Sequence, residues 1–280
     1  MKSFEKIVQT LIINGTLIDQ PGLFYGKIGI AVFFFHYARL TGNTLFQDYA
    51  IDLIDEVQKQ ITVTISARYD TGMAGIGVGF EYFLQNGFLG ADDSDIFEDF
   101  DARMYRATMY EPYPDLSLEG GLTGWGRYFI YRLNGNMKKN KIIHKALTHI
   151  AKEITQKIVK NMVPEIEKPD VYRFFYDLNK THEYADKYRT TLQHCNNWES
   201  ICNPDEQKIF PYMNNLHRLY VCQNYFNVHL TEKIGLEWKK WEESDNNSLT
   251  DMGLLKGWVT EGLLYLTFSE KQDTSWINLL

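Results

Sequence analysis

The stretch Gly-Leu-Phe-Tyr-Gly-Lys-Ile-Gly, residues 22–29, decides the fold because glycine phrases like it return along the chain. Gly26, Gly75 and Gly124 are separated by 49 and 49 residues, and each lies in such a phrase. A fourth phrase surrounds Gly257, and its distance from Gly124 divides into three intervals of about 44 residues. Self-similarity at a fixed period indicates a repeat architecture built from one supersecondary unit.

The segments after and between the glycine phrases predict two kinds of helix. After the phrases, runs such as 28–35 and 125–131 are apolar nearly all round. Between them, apolar residues recur at helical spacing, as in 53–61 and 142–158, with charged or amide side chains on the opposite face. Because amphipathic helices alternate with buried ones in this pattern, the sequence predicts two concentric layers of helices.

Helical hairpins account for the whole chain. The predicted outer helices lie near 3–15, 44–62, 93–109, 139–161, 181–198 and 228–243. The predicted inner helices lie near 24–40, 73–88, 122–134, 171–179, 210–226 and 254–269. The fourth and fifth inner helices lack the glycine phrase but lie where equal spacing expects them, near 168 and 213.

This arrangement favours a closed ring of repeats. Both terminal repeats keep the buried pattern, whereas an open solenoid needs polar caps at its ends. No linker rich in proline, glycine or serine divides the chain. We therefore predict an all-α, single-domain (α/α)6 toroid over residues 1–280, with the glycine turns gathered at one end.

The glycines themselves predict close packing. A turn that enters a buried helix requires positive φ or a close backbone approach, which glycine allows at the lowest cost. Gly29, Gly77 and Gly126 fall inside predicted inner helices, where glycine costs about 0.5–1 kcal/mol relative to alanine. We expect neighbouring inner helices to approach tightly at these positions.

Composition and charge narrow the class of protein. Apolar residues make up 44% of the chain, so a disordered protein is excluded. The net charge of −7 and the lack of a lysine or arginine block argue against a nucleic-acid partner. The uncharged run 28–35 is too short to span a membrane, and residues 1–15 lack the pattern of a secretory signal. Since the three cysteines form no disulfide framework, we expect a cytoplasmic protein.

The phrase Gly-Leu-x-x-Gly-x-x-Gly followed by an apolar helix, repeated at this spacing, resembles the lanthionine synthetase C-like family. The matching stretches are 22–35, 70–83, 118–124 and 252–259. The resemblance implies an (α/α) toroid with a zinc site at the end that holds the glycine turns. In the cyclases of that family, zinc activates a peptide cysteine thiol for addition to dehydroalanine or dehydrobutyrine.

The chain departs from this family where the zinc ligands are expected. The family's Cys-His-Gly triplet is absent, and the corresponding repeats lie within 168–226. The remaining candidate ligands match no zinc spacing: His182, His194, Cys195, Cys202, His217 and Cys222. His217 and Cys222 lie on one predicted inner helix, and metal binding by them or by Cys195 or Cys202 stays open. We expect no metal and no other cofactor, and hence a zinc-free relative that binds a peptide in lantibiotic-type modification.

Two other functions remain open. A thioether-forming cyclase with a different ligand set is one. The other is a carbohydrate-active enzyme, which needs two carboxylates about 5–10 Å apart. The acidic residues near the starts of predicted inner helices are Asp70, Asp115, Glu119, Asp170 and Asp251. Because aspartate before a helix is also a favoured N-cap, each has an ordinary structural explanation, and whether the chain is an enzyme stays undecided.

The predicted site lies at the shared N-terminal end of the inner helices. Helix N-termini carry partial positive charge and unpaired N–H groups, so we expect a peptide or small-molecule ligand there, in the toroid cavity. The predicted contacts enter those helices: Tyr25, Lys27, Asp70, Glu119, Tyr172, Arg173, Asp251 and Lys256. Aromatic residues such as Tyr172, Phe210 and Tyr212 suit either the core or the mouth of the cavity. Helix capping and mutual pairing are the alternative role of all these contacts.

Overall fold

The computed structural model describes residues 4–62, 64–90, 97–135, 140–181, 183–198, 209–210, 213–226, 228–243, 251–271 and 274–280. Within these ranges the chain forms twelve α-helices and two short 3-10 helices, and it forms no strand. A single antiparallel bridge joins Met252 and Gly257. The all-α prediction is confirmed.

Two kinds of helix alternate along the chain, as predicted. The partly exposed helices are α1 (Phe4–Gly15), α3 (Thr44–Gln60), α5 (Phe97–Tyr110), α7 (Lys141–Val159), α9 (Arg189–Cys195) and α11 (Thr231–Glu243). The largely buried helices are α2 (Lys27–Thr41), α4 (Met73–Gln85), α6 (Leu122–Asn134), α8 (Lys168–Lys180), α10 (Asn215–Phe226) and α12 (Trp258–Phe268). The largest departure is at 181–198, where only the short helix α9 forms. The predicted starts near 168 and 213 agree with α8 and α10.

The helices belong to two compact units, Met1–Thr62 with Pro211–Leu280, and Val63–Phe210. In the first unit α2 packs against α3 and α12, and α12 packs against α1. In the second unit α4, α6 and α8 pack in succession, while α7 lies on both α5 and α6. The single-domain toroid remains a prediction.

Close approach of buried helices explains three glycines that lie inside them. In each case the position of a glycine Cβ falls on an aromatic ring of a neighbouring buried helix. The pairs and the distances to the nearest ring atom are Gly77 and Tyr128 (2.5 Å), Gly126 and Phe174 (2.3 Å), and Gly262 and Phe33 (2.5 Å). The tight packing predicted at Gly77 and Gly126 is confirmed, whereas Gly29 instead approaches the carbonyl of Leu23 in its own turn.

None of the helices in the described ranges is both long and apolar enough to cross a membrane.

Candidate functional site at the glycine turns

Four turns of seven residues lead into buried helices and share one backbone hydrogen bond. In each turn the N–H of the first helical residue donates to the carbonyl seven residues earlier. The four bonds are Lys27 to Gln20 (2.9 Å), Met73 to Ser66 (2.7 Å), Leu122 to Asp115 (3.1 Å) and Trp258 to Asp251 (3.0 Å). The turns 20–26, 66–72, 115–121 and 251–257 are therefore structural repeats of one another.

The last residue of each turn is a glycine that caps the helix. The positions of these capping glycines show that the sequence repeat was aligned in the wrong register. A Cβ on Gly26, Gly72, Gly121 or Gly257 would lie only 2.2–2.4 Å from the carbonyl oxygen of the first turn residue. Gly26 therefore corresponds to Gly72 and Gly121, at intervals of 46 and 49 residues, and not to Gly75 and Gly124. The alignment predicted from the sequence was wrong because each of these three phrases holds a second glycine three residues after the capping one.

Adjacent turns within a unit are joined by an equivalent hydrogen bond. The N–H of Tyr69 donates to the carbonyl of Glu119 at 2.8 Å, and the N–H of Leu254 donates to the carbonyl of Phe24 at 2.7 Å. Each donor lies three residues before the capping glycine of its own turn. Each acceptor lies two residues before the capping glycine of the neighbouring turn. The turns therefore form a continuous strip of hydrogen-bonded backbone in each unit.

Asp170 completes this strip where the glycine turn is missing. Helix α8 begins after a 3-10 helix, Glu165–Glu167, instead of a glycine turn. The N–H of Leu118, which is equivalent to that of Tyr69, donates to Asp170 Oδ2 at 2.9 Å. The buried carboxylate of Asp170 thus takes the place of a backbone carbonyl, and its role is structural.

The predicted site residues of the first unit lie in or beside two adjacent turns, 20–26 and 251–257. Tyr25 is half-buried, and the buried Lys27 ammonium pairs with Glu56 of α3. Asp251 Oδ1 accepts the N–H of Gly253 at 2.9 Å, which closes the start of its turn. Lys256 is exposed. Lys27 and Asp251 therefore have structural partners.

In the second unit, Asp70 and Glu119 occupy equivalent positions of adjacent turns. Arg68 donates to both carboxylate oxygens of Asp70, from Nε at 2.8 Å and from Nη2 at 2.5 Å. The guanidinium also lies against the backbone of Gly120, where a side chain would collide with it. The group of Arg68, Asp70, Asp115 and Glu119 is called the turn cluster below.

The turn cluster combines the exposed cation of Arg68 with two half-buried carboxylates, those of Asp115 and Glu119, and the buried carboxylate of Asp70. The hydrogen bond to Asp70, followed by the charges of Asp70, Glu119 and Asp115, raises the pKa of Arg68. The side chain of Arg68 is nevertheless 44% exposed, and Glu119 is half-buried. The cluster therefore offers both hydrogen-bond donors and acceptors to an incoming ligand.

Tyr172 and Arg173 lie elsewhere than expected. Since α8 begins at Lys168, with a proline in its first turn, both residues are inside the helix and do not precede it. Tyr172 is 6% exposed, and burial raises its pKa to about 12. Arg173 is 1% exposed and lies over the ring of Phe210 at 5.2 Å. Neither residue contributes to an exposed mouth, and Tyr212 lies outside the described residues.

Arg173 and Asp170 instead line a small buried cavity together with Arg127 and Asp177. The cavity measures about 10 Å³, close to the space that one water molecule needs. It is too small for a peptide side chain or a sugar ring. The buried charges around it therefore belong to the packing of α6 against α8.

Glu167 is a carboxyl group that sequence reasoning missed. Its Oε2 accepts the N–H of Leu116 at 3.1 Å, so it holds the same turn as Asp170 does. Burial raises the pKa of Glu167, and the nearby carboxylates of Asp115 and Asp170 add to the shift. No sequence pattern marks this residue, because its neighbours come from a turn some fifty residues earlier.

A buried ionic network in the second unit was also missed. Arg132 bridges two carboxylates, with Nη1 at 2.7 Å from Glu81 Oε2 and Nη2 at 3.0 Å from Asp101 Oδ2. Tyr128 donates to Asp101 Oδ1 at 2.5 Å. Charged residues within otherwise apolar helices, such as Glu81 and Arg132, were the available signal. The network ties α4, α5 and α6 together.

Among the candidate zinc ligands that the structure describes, Cys195 is poorly suited to metal. Burial raises the pKa of the Cys195 thiol to about 12, which disfavours the thiolate that zinc needs. His217 is fully buried against Trp276, and burial lowers its pKa to about 3, which keeps the imidazole in the neutral form that can bind a metal. Within the described ranges, no three His, Cys, Asp or Glu side chains are grouped as a metal site. His182 and Cys202 lie outside those ranges, so the absence of a metal remains a prediction.

Comparison with known proteins gives no family: neither a family model nor a curated protein matches this chain.

Proposed function

We propose that this chain is a zinc-free relative of the lanthionine synthetase C-like proteins and that it binds a peptide in lantibiotic-type modification. The observation that supports the proposal is the set of four seven-residue turns with one hydrogen-bond geometry. These turns correspond to the glycine phrases on which the resemblance rests. The missing Cys-His-Gly triplet supports a role without zinc.

The turn cluster is the surface that we assign to the peptide. A peptide presents both N–H donors and carbonyl acceptors, and the cluster presents the exposed guanidinium of Arg68 beside the carboxylate of Glu119. With one cation and three carboxylates, the cluster favours peptides that carry a basic side chain.

The isosteric change Glu119→Gln tests this assignment. The backbone carbonyl of Glu119 accepts the N–H groups of Tyr69 and Asp70, so a change of the side chain leaves the turns intact. Random short peptides are selected by display on the full chain, and the enriched peptides are titrated against wild type and variant. We expect Glu119→Gln to weaken binding by about tenfold, as the loss of a charged hydrogen bond predicts. Metal analysis of the same protein should find no stoichiometric zinc.

Glu242→Gln is the matched control, because Glu242 is exposed near the end of α11. Its affinity for the enriched peptides should equal that of wild type. If no peptide is enriched, peptide binding is wrong. If Glu119→Gln binds as tightly as Glu242→Gln, the peptide binds somewhere other than the turn cluster.

The carboxyl groups gathered at the turn 115–121 favour a carbohydrate-active enzyme as a second candidate. A glycosidase needs two carboxyl groups across the glycosidic bond, and Glu167, which accepts the N–H of Leu116, feels the charges of Asp115 and Asp170. In that case the full chain hydrolyses a panel of aryl glycosides, and Glu167→Gln lowers kcat at least a hundredfold. Equal rates for wild type and Glu167→Gln would remove this candidate.

A further inference from the structure

Helix α7 and the residue after it concentrate positive charge in an acidic protein. Residues 141–160 contain five lysines and one glutamate, a balance of +4, whereas the whole chain carries −7. Most of these lysines are exposed. The surface around α7 therefore attracts anions although the protein as a whole repels them.

A groove runs along this helix. One face of α7 carries residues at helical spacing from Thr148 to Val159, and it forms the groove together with Lys187 and Tyr188. The volume is about 460 Å³, within the range of sites that hold several side chains. Tyr188 is buried and Thr155 half-buried, so they form a floor, while Val159 is 76% exposed. The groove thus offers apolar contact area.

Three lysines line the rim of the groove, and the ammonium of one of them, Lys187, lies over the ring of Tyr188 at 5.3 Å. Lys152, Lys160 and Lys187 are exposed, and none of them forms an ion pair within the described residues. Asp186 does not neutralise Lys187, because its carboxylate is paired with Arg189 at 2.6 Å. No acidic residue lines the groove. The charged residues that line the groove are therefore all cationic.

We propose that this groove is a docking site for an acidic peptide segment that also carries apolar side chains. The lysines of the rim complement carboxylates, and the floor with Val159 complements aliphatic or aromatic groups. A nucleic acid fits less well, because the rim has no arginine and the floor is apolar. The inference does not depend on the proposed function, since it uses no residue of the turn cluster.

Fluorescence anisotropy with labelled synthetic peptides tests the proposal on the full chain. The first peptide combines Glu with Leu and Phe, the second replaces Leu and Phe by Ser, and the third replaces Glu by Lys. A labelled oligothymidylate serves as the nucleic-acid probe. We expect only the first peptide to bind well, with an affinity that falls as salt is raised.

Charge reversal of the rim supplies the variants. Lys152→Glu with Lys187→Glu should weaken binding of the first peptide by tenfold or more, and Val159→Asp should weaken it as well. Lys141→Glu with Lys239→Glu is the control, since it makes the same change of net charge at exposed positions outside the groove. Thermal unfolding of each variant, followed by circular dichroism, confirms that it is folded.

Several outcomes would overturn the proposal. Equal binding of the peptide without apolar residues, or of the oligothymidylate, would show simple attraction of anions. An equal loss in the control pair would show an effect of net charge alone. Light scattering that finds a dimer in wild type and a monomer in the Lys152→Glu, Lys187→Glu variant would assign the groove to a second copy of this chain.

Discussion

At the scale of single residues, His217 links the stability of the fold to pH. Its ring lies at 5.1 Å from that of Trp276, and neither ring nitrogen has a hydrogen-bond partner within the described residues. Burial lowers its pKa from 6.5 to about 3, so between these values the unfolded chain binds a proton that the folded chain does not. Stability contributed by the neutral imidazole is therefore complete above pH 6.5 and falls as the pH drops towards 3.

Replacement of the imidazole by a phenyl ring should remove this dependence. We compare the free energy of unfolding of wild type with that of His217→Phe at each pH. From pH 8 to pH 5, wild type should lose about 2 kcal/mol more than the variant does. Denaturant unfolding at the two pH values measures it. The control is His194→Gln, because His194 is an exposed residue of α9. Its difference from wild type in the free energy of unfolding should be the same at both pH values. A wild-type difference that persists in His217→Phe would have to come from another group.

The carboxylates at the turns show why their roles were open from sequence. Asp115 Oδ1 accepts the N–H of Ser117 at 2.9 Å, and Asp251 Oδ1 accepts that of Gly253 at the same distance. These bonds close the start of a turn, whereas the helix N-caps are glycines without a side-chain hydrogen bond, so these aspartates cap turns and not helices. Asp170 caps the turn of a different repeat, and no local pattern reveals such a partner.

At the scale of helices, the absence of a side chain at Gly126 lets α6 and α8 approach closely. A Cβ at this position would lie 2.3 Å from Phe174 Cε2, so alanine forces the ring or a helix to move. Gly126→Ala should lower the free energy of unfolding by roughly 1–3 kcal/mol, as overpacking does. Phe174→Leu in the same chain should recover part of the loss, and chemical unfolding of the double-mutant cycle measures the coupling.

Gly235→Ala is the matched control, because Gly235 lies within the exposed helix α11 with nothing within 4 Å of a Cβ. There alanine should stabilise the protein by about 0.5–1 kcal/mol through helix propensity. Opposite signs at the two glycines identify packing as the cause. A stabilising Gly126→Ala would show that α6 and α8 are not in tight contact.

At the scale of the whole molecule, the described residues divide into two compact units. The chain leaves the first unit after α3 and returns to it for α10, and α12 then packs against α1 and α2. Helices α1 and α12, from opposite ends of the chain, thus share one unit. Charge is unevenly distributed as well, since the +4 of residues 141–160 is offset by the acidic remainder.

The sequence by itself determined the recurrence of the glycine phrases, the two kinds of helix and most helix bounds. These properties are local, because a glycine that starts a helix and an apolar pattern along it act over one or two turns. Only the tertiary structure decided that Gly72 is equivalent to Gly26 in the repeat, that Asp170 accepts a hydrogen bond from a distant turn, and that Arg173 is buried. It also decided the cationic groove along α7, whose rim comes partly from Lys187. Each of these depends on which atoms from remote parts of the chain meet, and the spacing of residues along the chain does not specify that.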